Sequence, residues 1–105
     1  MPRQIAFRMT LFPGHAAEYR KRHDEIPADL VAVLKGAGVS DYSIWLDPEA
    51  NHLFGTLTLA DGGTMDHLPE TEVVQRWWAF MADIMATDAD NVPVQIPLKR
   101  VFFLP

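Results

Sequence analysis

The chain contains no cysteine. That excludes disulfides, a thiolate nucleophile, and zinc or iron–sulfur sites held by thiolates. Positive charge is in deficit: nine Lys and Arg face fourteen Asp and Glu, a net charge of −5 with neutral histidines. There is no basic run, which argues against a nucleic-acid partner or an anionic membrane surface. No stretch approaches the roughly 20 apolar residues that span a bilayer. The N-terminal Met1-Pro2-Arg3-Gln4 leads into no apolar segment of the kind that directs secretion, so a cytoplasmic protein is expected. Glycine-rich phosphate loops are missing too, since Gly62-Gly63 is not followed by a phosphate-binding lysine. No Ser, His and Asp order suggests a nucleophile elbow. Of the four histidines, no two stand at a common metal-ligand spacing, so no metal site is expected.

What remains is an ordinary globular balance, 49% hydrophobic and 22% charged, in 105 residues. That length predicts a single domain over residues 1–105. Residues 4–12 alternate, with Ile5, Phe7, Met9 and Leu11 on one face, which is a strand pattern ended by Pro13-Gly14. Over residues 15–35, Tyr19, His23, Ile26, Leu30, Val33 and Leu34 recur at helical spacing, with Gly36 and Gly38 as the stop. Pro27 interrupts this helix. It lacks an N–H and would strike the His23 carbonyl, so a break is predicted between His23 and Ala28, leaving that carbonyl to water or a side chain. Residues 41–47 and 52–59 alternate again around the turn Asp47-Pro48-Glu49-Ala50-Asn51, predicting a hairpin. A second helix is expected from about Glu70 to Met85. A long loop over 86–97 and a last strand over Leu98–Leu104 complete the chain.

The order β-α-β-β-α-β is the ferredoxin-like arrangement, an α+β fold with a four-stranded antiparallel sheet and two helices on one face. Adjacent apolar pairs such as Ile44 and Trp45, Leu53 and Phe54, and Phe102 and Phe103 put large groups on both faces of the strands. One helical layer covers one face. A second copy of the sheet is the simplest cover for the other, which predicts a homodimer.

Few side chains are candidates for chemistry. His15, His52 and His67 lie at element ends or in loops, where solvated histidine is the plain reading. His23 follows Tyr19 by one turn on the apolar helix face. It reads either as a core histidine bonded to a carbonyl or as a general acid or base, because imidazole titrates near pH 6.5. Trp77 and Trp78 are about 100° apart on their helix, so one can pack while the other lines a cleft; an indole suits the C–H face of a sugar. Tyr42 reads as an edge aromatic or as a hydroxyl aimed at a polar ligand. Asp88-Ala89-Asp90-Asn91 lacks cation-loop spacing and reads as an Asx-rich turn.

Several of these segments together resemble the L-rhamnose mutarotase family. The similarity is carried by Glu18-Tyr19-Arg20-Lys21-Arg22-His23, Tyr42-Ser43-Ile44-Trp45-Leu46-Asp47, Gln75-Arg76-Trp77-Trp78, Met81-Ala82-Asp83-Ile84-Met85 and Val101-Phe102-Phe103-Leu104-Pro105. The resemblance implies a dimeric α+β barrel that interconverts the α and β anomers of L-rhamnose or a related deoxy sugar. It implies His23 as proton donor and Tyr19, Tyr42, Trp77 and Trp78 as sugar-binding residues, with no cofactor or metal. Where the family usually reads I-W-P-E-L, this chain has Ile26-Pro27-Ala28-Asp29-Leu30. Other readings of the same fold are a cofactor-independent monooxygenase and a non-catalytic sugar-binding module. The joint Tyr19/His23 and Trp77-Trp78 pattern favours the isomerase.

Overall fold

A computed structural model describes residues 1–105. The strands are β1 (Arg3–Thr10), β2 (Val39–Asp47), β3 (His52–Leu59) and β4 (Ile96–Pro97). The helices are α1 (Ala16–Asp24), α2 (Ala28–Gly36) and α3 (Glu72–Met81), the last preceded by a 3-10 turn over Leu68–Glu70. The sheet order is β2-β3-β1-β4, and every neighbouring pair is antiparallel. This is the α+β ferredoxin-like arrangement expected from the sequence.

Alternation in β1 and β3 places Phe7, Met9, Leu53 and Leu57 on the helix side, where all four are buried. Leu11, Leu53, Leu59, Met81 and Ile84 are the most completely buried large side chains. Each such leucine contributes about 1.5–3 kcal/mol relative to exposure. Gly55 lies between Phe7 and Ile44 in the ladder, and the Phe7 ring occupies the space that a Cβ at Gly55 would need. The hairpin turn is held by Asp47, whose Oδ1 accepts from the Glu49 amide at 3.0 Å, and Asn51 turns the chain at φ 57°.

The break at Pro27 is present. α1 ends at Asp24, and Pro27 stands before α2 in extended conformation, φ −60° and ψ 138°. That φ is the one its ring enforces. One detail differs from expectation. The His23 carbonyl is not left to solvent or a side chain, because the Ile26 amide donates to it at 3.2 Å. A three-residue turn tightens the helix end before proline can collide with it.

Three boundaries also differ. β2 begins at Val39 rather than residue 41, because an extra residue sits between Ser40 and Ser43, with Asp41 at φ 48°. This bulge flips the side-chain parity, so Val39 and Ile44 both pack on the core. The second helix is shorter than Glu70–Met85. It starts at Glu72, where Thr71 Oγ1 accepts from the Val74 amide at 3.3 Å, and it stops at Met81. Ile84 and Met85 remain buried, but in a turn that runs against β1: Phe12 N donates to Ile84 O and Ala86 N to Thr10 O, each at 2.9 Å. The last strand is the two-residue β4, paired to Phe7 and Arg8, rather than Leu98–Leu104. Backbone bonds from residues 84–98 reach β1 and the residues just after it only between Ala6 and Phe12, and the ladder ends at the Leu98 amide, which donates to Ala6 O at 2.9 Å. Val101, Phe102 and Leu104 are largely exposed.

The face of the sheet opposite the helices is less apolar than adjacent pairs in the sequence suggested. It carries Arg8, Thr10, Ser43, Thr56 and Thr58 beside Trp45 and Phe54, while Phe12 and Phe102 lie outside the strands. No helix is long and apolar enough to cross a membrane.

Candidate active site

A cleft of about 1190 Å³ lies between the helices and the sheet, and Tyr19, His23, Tyr42, Trp77 and Trp78 all line it. Its wall is mainly apolar, with a few polar groups, the usual character of a small-molecule site. The five residues come from three elements. Tyr19 and His23 are one turn apart on α1, Tyr42 lies within the β2 bulge, and Trp77 and Trp78 belong to α3. His15, His52 and His67 do not line it. His67 instead lies 3.4 Å from Glu70 at the surface. Asp88 Oδ1 accepts from the amides of Asp90 at 2.8 Å and Val92 at 3.0 Å, closing the expected Asx turn. No three His, Asp or Glu side chains converge as a ligand set for a metal.

The His23 ring is held on three sides. It stacks on Tyr19 with centroids 4.4 Å apart and meets Trp77 edge-on at 5.3 Å and 88°. Its Nδ1 lies 2.9 Å from the Tyr19 carbonyl. A carbonyl only accepts, so Nδ1 carries the proton and donates. That leaves Nε2 as the nitrogen able to exchange a proton with a ligand. Burial holds the His23 pKa below its ordinary value, against the opposing pull of the Tyr19 carbonyl and the nearby Asp24 carboxylate. The neutral ring therefore dominates at neutral pH, and the protonated ring is a stronger acid than free imidazolium.

The two tyrosines differ from the histidine in kind. Burial raises the Tyr19 pKa above the ordinary phenol range, and Tyr42 raises it further. Tyr42 exposes 40% of its surface as a residue, but its hydroxyl end is desolvated and its pKa is pushed up to about 12. Both phenols stay protonated at neutral pH, so they act as hydrogen-bond donors and acceptors rather than as bases. Phe7 meets Tyr42 edge-on at 6.2 Å, which ties the position of that hydroxyl to the close approach at Gly55.

Sequence reasoning singled out these five residues and missed others. Arg20, Asp24, Ile26 and Gln95 also line the cleft. Asp24 had a local signal, a carboxylate beside the histidine; Gln95 had none, because only the return path of residues 84–98 along β1 brings it near.

A family model described as L-rhamnose mutarotase matches residues 4–104. An L-rhamnose mutarotase of Mesorhizobium japonicum is 58% identical over 104 residues, covering 99% of each chain. One from Sinorhizobium fredii is 60% identical over 101 residues, 96% of this chain and 97% of that one. Among solved structures, the crystal structure of an L-rhamnose mutarotase from Formosa agariphila superposes with a TM-score of 0.91 at 43% identity, covering 98% of this chain and 99% of the other.

Proposed function

This chain belongs to the L-rhamnose mutarotase family and is an isomerase, and from that premise we propose that it exchanges the α and β anomers of L-rhamnose in the cleft, with His23 moving the proton. The observation that carries the assignment of His23 is its ring geometry: Nδ1 is committed to the Tyr19 carbonyl, and Nε2 is the exchangeable position between two aromatic walls.

Anomer exchange is an acid–base reaction without net change in composition. On opening, the minority protonated form of His23, a stronger acid than free imidazolium, gives its Nε2 proton to the ring oxygen while the anomeric hydroxyl gives one to solvent. The C1–O5 bond breaks and C1 becomes an aldehyde. Rotation about C1–C2 presents the other carbonyl face. O5 then attacks C1, Nε2 takes the proton back, and the carbonyl oxygen is reprotonated. A positioned acid–base group contributes about 10²–10⁴-fold. The Tyr19 and Tyr42 hydroxyls, neutral throughout, hydrogen-bond sugar hydroxyls. Trp77 and Trp78 pack on the apolar ring face and the C6 methyl of the deoxy sugar.

The same reading includes a homodimer. Trp45 is 66% exposed on the uncovered sheet face, and the tail shows Phe102 at 77% and Leu104 at 80%, an apolar surface that a second copy would cover.

Saturation-transfer NMR on L-rhamnose at neutral pH tests the reaction. Exchange above the buffer rate is expected, and His23→Asn should lower it about 10²-fold or more while the fold persists. Undiminished exchange in folded His23→Asn would remove His23 from the mechanism.

A further inference from the structure

Arg22 stands beside His23 in sequence but does not line the cleft. It lies on the neighbouring stripe of α1, and only 11% of its side chain is exposed. Its guanidinium makes a dense set of contacts. Nε donates to Glu18 Oε2 at 2.8 Å, one turn back on α1. Nη1 donates to the Phe80 carbonyl at 2.7 Å and to Asp83 Oδ1 at 2.8 Å, and Nη2 to Asp83 Oδ2 at 3.2 Å. The same group sits 4.3 Å above the Phe80 ring. Asp83 holds Arg22 firmly in its charged form, and Arg22 in turn lowers the Asp83 pKa.

The position of these acceptors matters more than their number. Phe80 is in the last turn of α3, where backbone carbonyls have no helical partner and the helix end carries partial negative charge. Arg22 satisfies one of those carbonyls and supplies a cation there, with the two-pronged fork that lysine cannot reproduce. One turn earlier, α3 carries Trp77, whose ring is 5.8 Å from Phe80 and 5.3 Å from His23. α1 is a nine-residue helix cut off from α2 by the break at Pro27, so no continuous helix fixes its rotation. Burial of Tyr19 in the core anchors one face of α1, and the contacts of Arg22 add the link from its C-terminal turn to the end of α3.

We infer that Arg22 is a positioning residue for the reaction: by clamping the end of α1 to the end of α3, it sets His23 against Trp77 at the distance the sugar site requires. This rests on the anomer exchange proposed above. Arg22 touches no substrate in this role. It acts through the helix rotation that aims the His23 Nε2, so its loss acts on the proton transfer more than on sugar binding.

The test compares Arg22→Gln and Arg22→Lys with the unaltered protein, in saturation-transfer NMR at several L-rhamnose concentrations and at a temperature where each is folded. Arg22→Gln should lower kcat about tenfold with KM within about threefold, and Arg22→Lys, which keeps the charge without the fork, should recover part of the loss. Asp83→Asn, an exposed change that leaves the Glu18 and Phe80 contacts in place, provides the same test should Arg22→Gln fail to fold; kcat should fall about threefold. The Trp77 indole and His23 ring resonances of the sugar-free protein give a readout independent of activity. They should shift in each variant as the two rings move apart. Unchanged kcat in folded Arg22→Gln, or in Asp83→Asn where that is the variant that folds, overturns the inference, as do unchanged ring resonances. Absence of exchange in the unaltered protein, with ring resonances that still shift, would instead count against the reaction and leave the clamp standing as a fact of the fold.

Discussion

On the helix side of the sheet, Phe7, Met9, Leu53 and Leu57 are buried, and all but Met9 line the cleft; on the other side, the same two strands present Arg8, Thr10, Thr56 and Thr58 around Phe54, with Trp45 of β2 standing 66% exposed beside them. Both faces arise from the same alternation, but only the first has a partner within the chain. Covered apolar surface there shields the polar groups that lie within it, so the few that are present acquire altered acidities. Tyr19, His23 and Tyr42 all show this, and each is shifted by desolvation first. The asymmetry supports placing the proposed acid–base chemistry on the helix side and the proposed association on the opposite side.

The contrast can be broken most sharply on the open face. If a second copy covers it, sedimentation should give twice the 11.8 kDa chain mass, and a Trp45→Ser, Phe102→Ser variant should fall back to the single-chain value. A single-chain mass for the unaltered protein would end the dimer reading and leave the exposed aromatics without a role. On the covered face, Gly55→Ala should cost about 1–3 kcal/mol in denaturant unfolding, because the Phe7 ring fills the space a methyl would need. It should also weaken sugar binding, since Phe7 supports Tyr42. A variant of unchanged stability would show that the close approach relaxes freely.

Two smaller effects sharpen the same picture. Pro27→Ala should destabilise by about 0.4–1 kcal/mol, because the native φ of −60° is the one proline already enforces and alanine frees the unfolded chain. A gain in stability would mean that α1 and α2 prefer to merge. For His23, the folded pKa lies below the unfolded value, so between those values the unfolded chain binds more protons. Stability should therefore rise with pH through that window and be lost as pH falls through the folded pKa. The difference in unfolding free energy between the unaltered protein and His23→Asn, followed from pH 7 downward, isolates this contribution. A difference independent of pH would show that His23 is not desolvated.

Some of this molecule is local, and the sequence alone determined it. Tyr19 and His23 share a helix face because they are four residues apart, Pro27 must break the helix because it lacks an N–H, and β1, β3 and the hairpin turn follow from alternation and from Asp47-Pro48. The Glu18–Arg22 pair is likewise a matter of helical spacing. Other features depend on residues far apart in the chain. The parity flip in β2 needs Thr56 and Thr58 as partners to reveal the extra residue between Ser40 and Ser43. α3 stops short where residues 84–86 turn to bond Thr10 and Phe12 at the end of β1, and β4 is the two-residue pairing with Phe7 and Arg8, outcomes of backbone pairing that side-chain periodicity does not encode. Arg22 reaches Asp83 across 61 positions, and Trp77 meets His23 across the gap between two helices that lie far apart in the chain. Spacing along a chain fixes which side chains share a face; which faces meet, and at what distance, is decided by the packing of the whole fold.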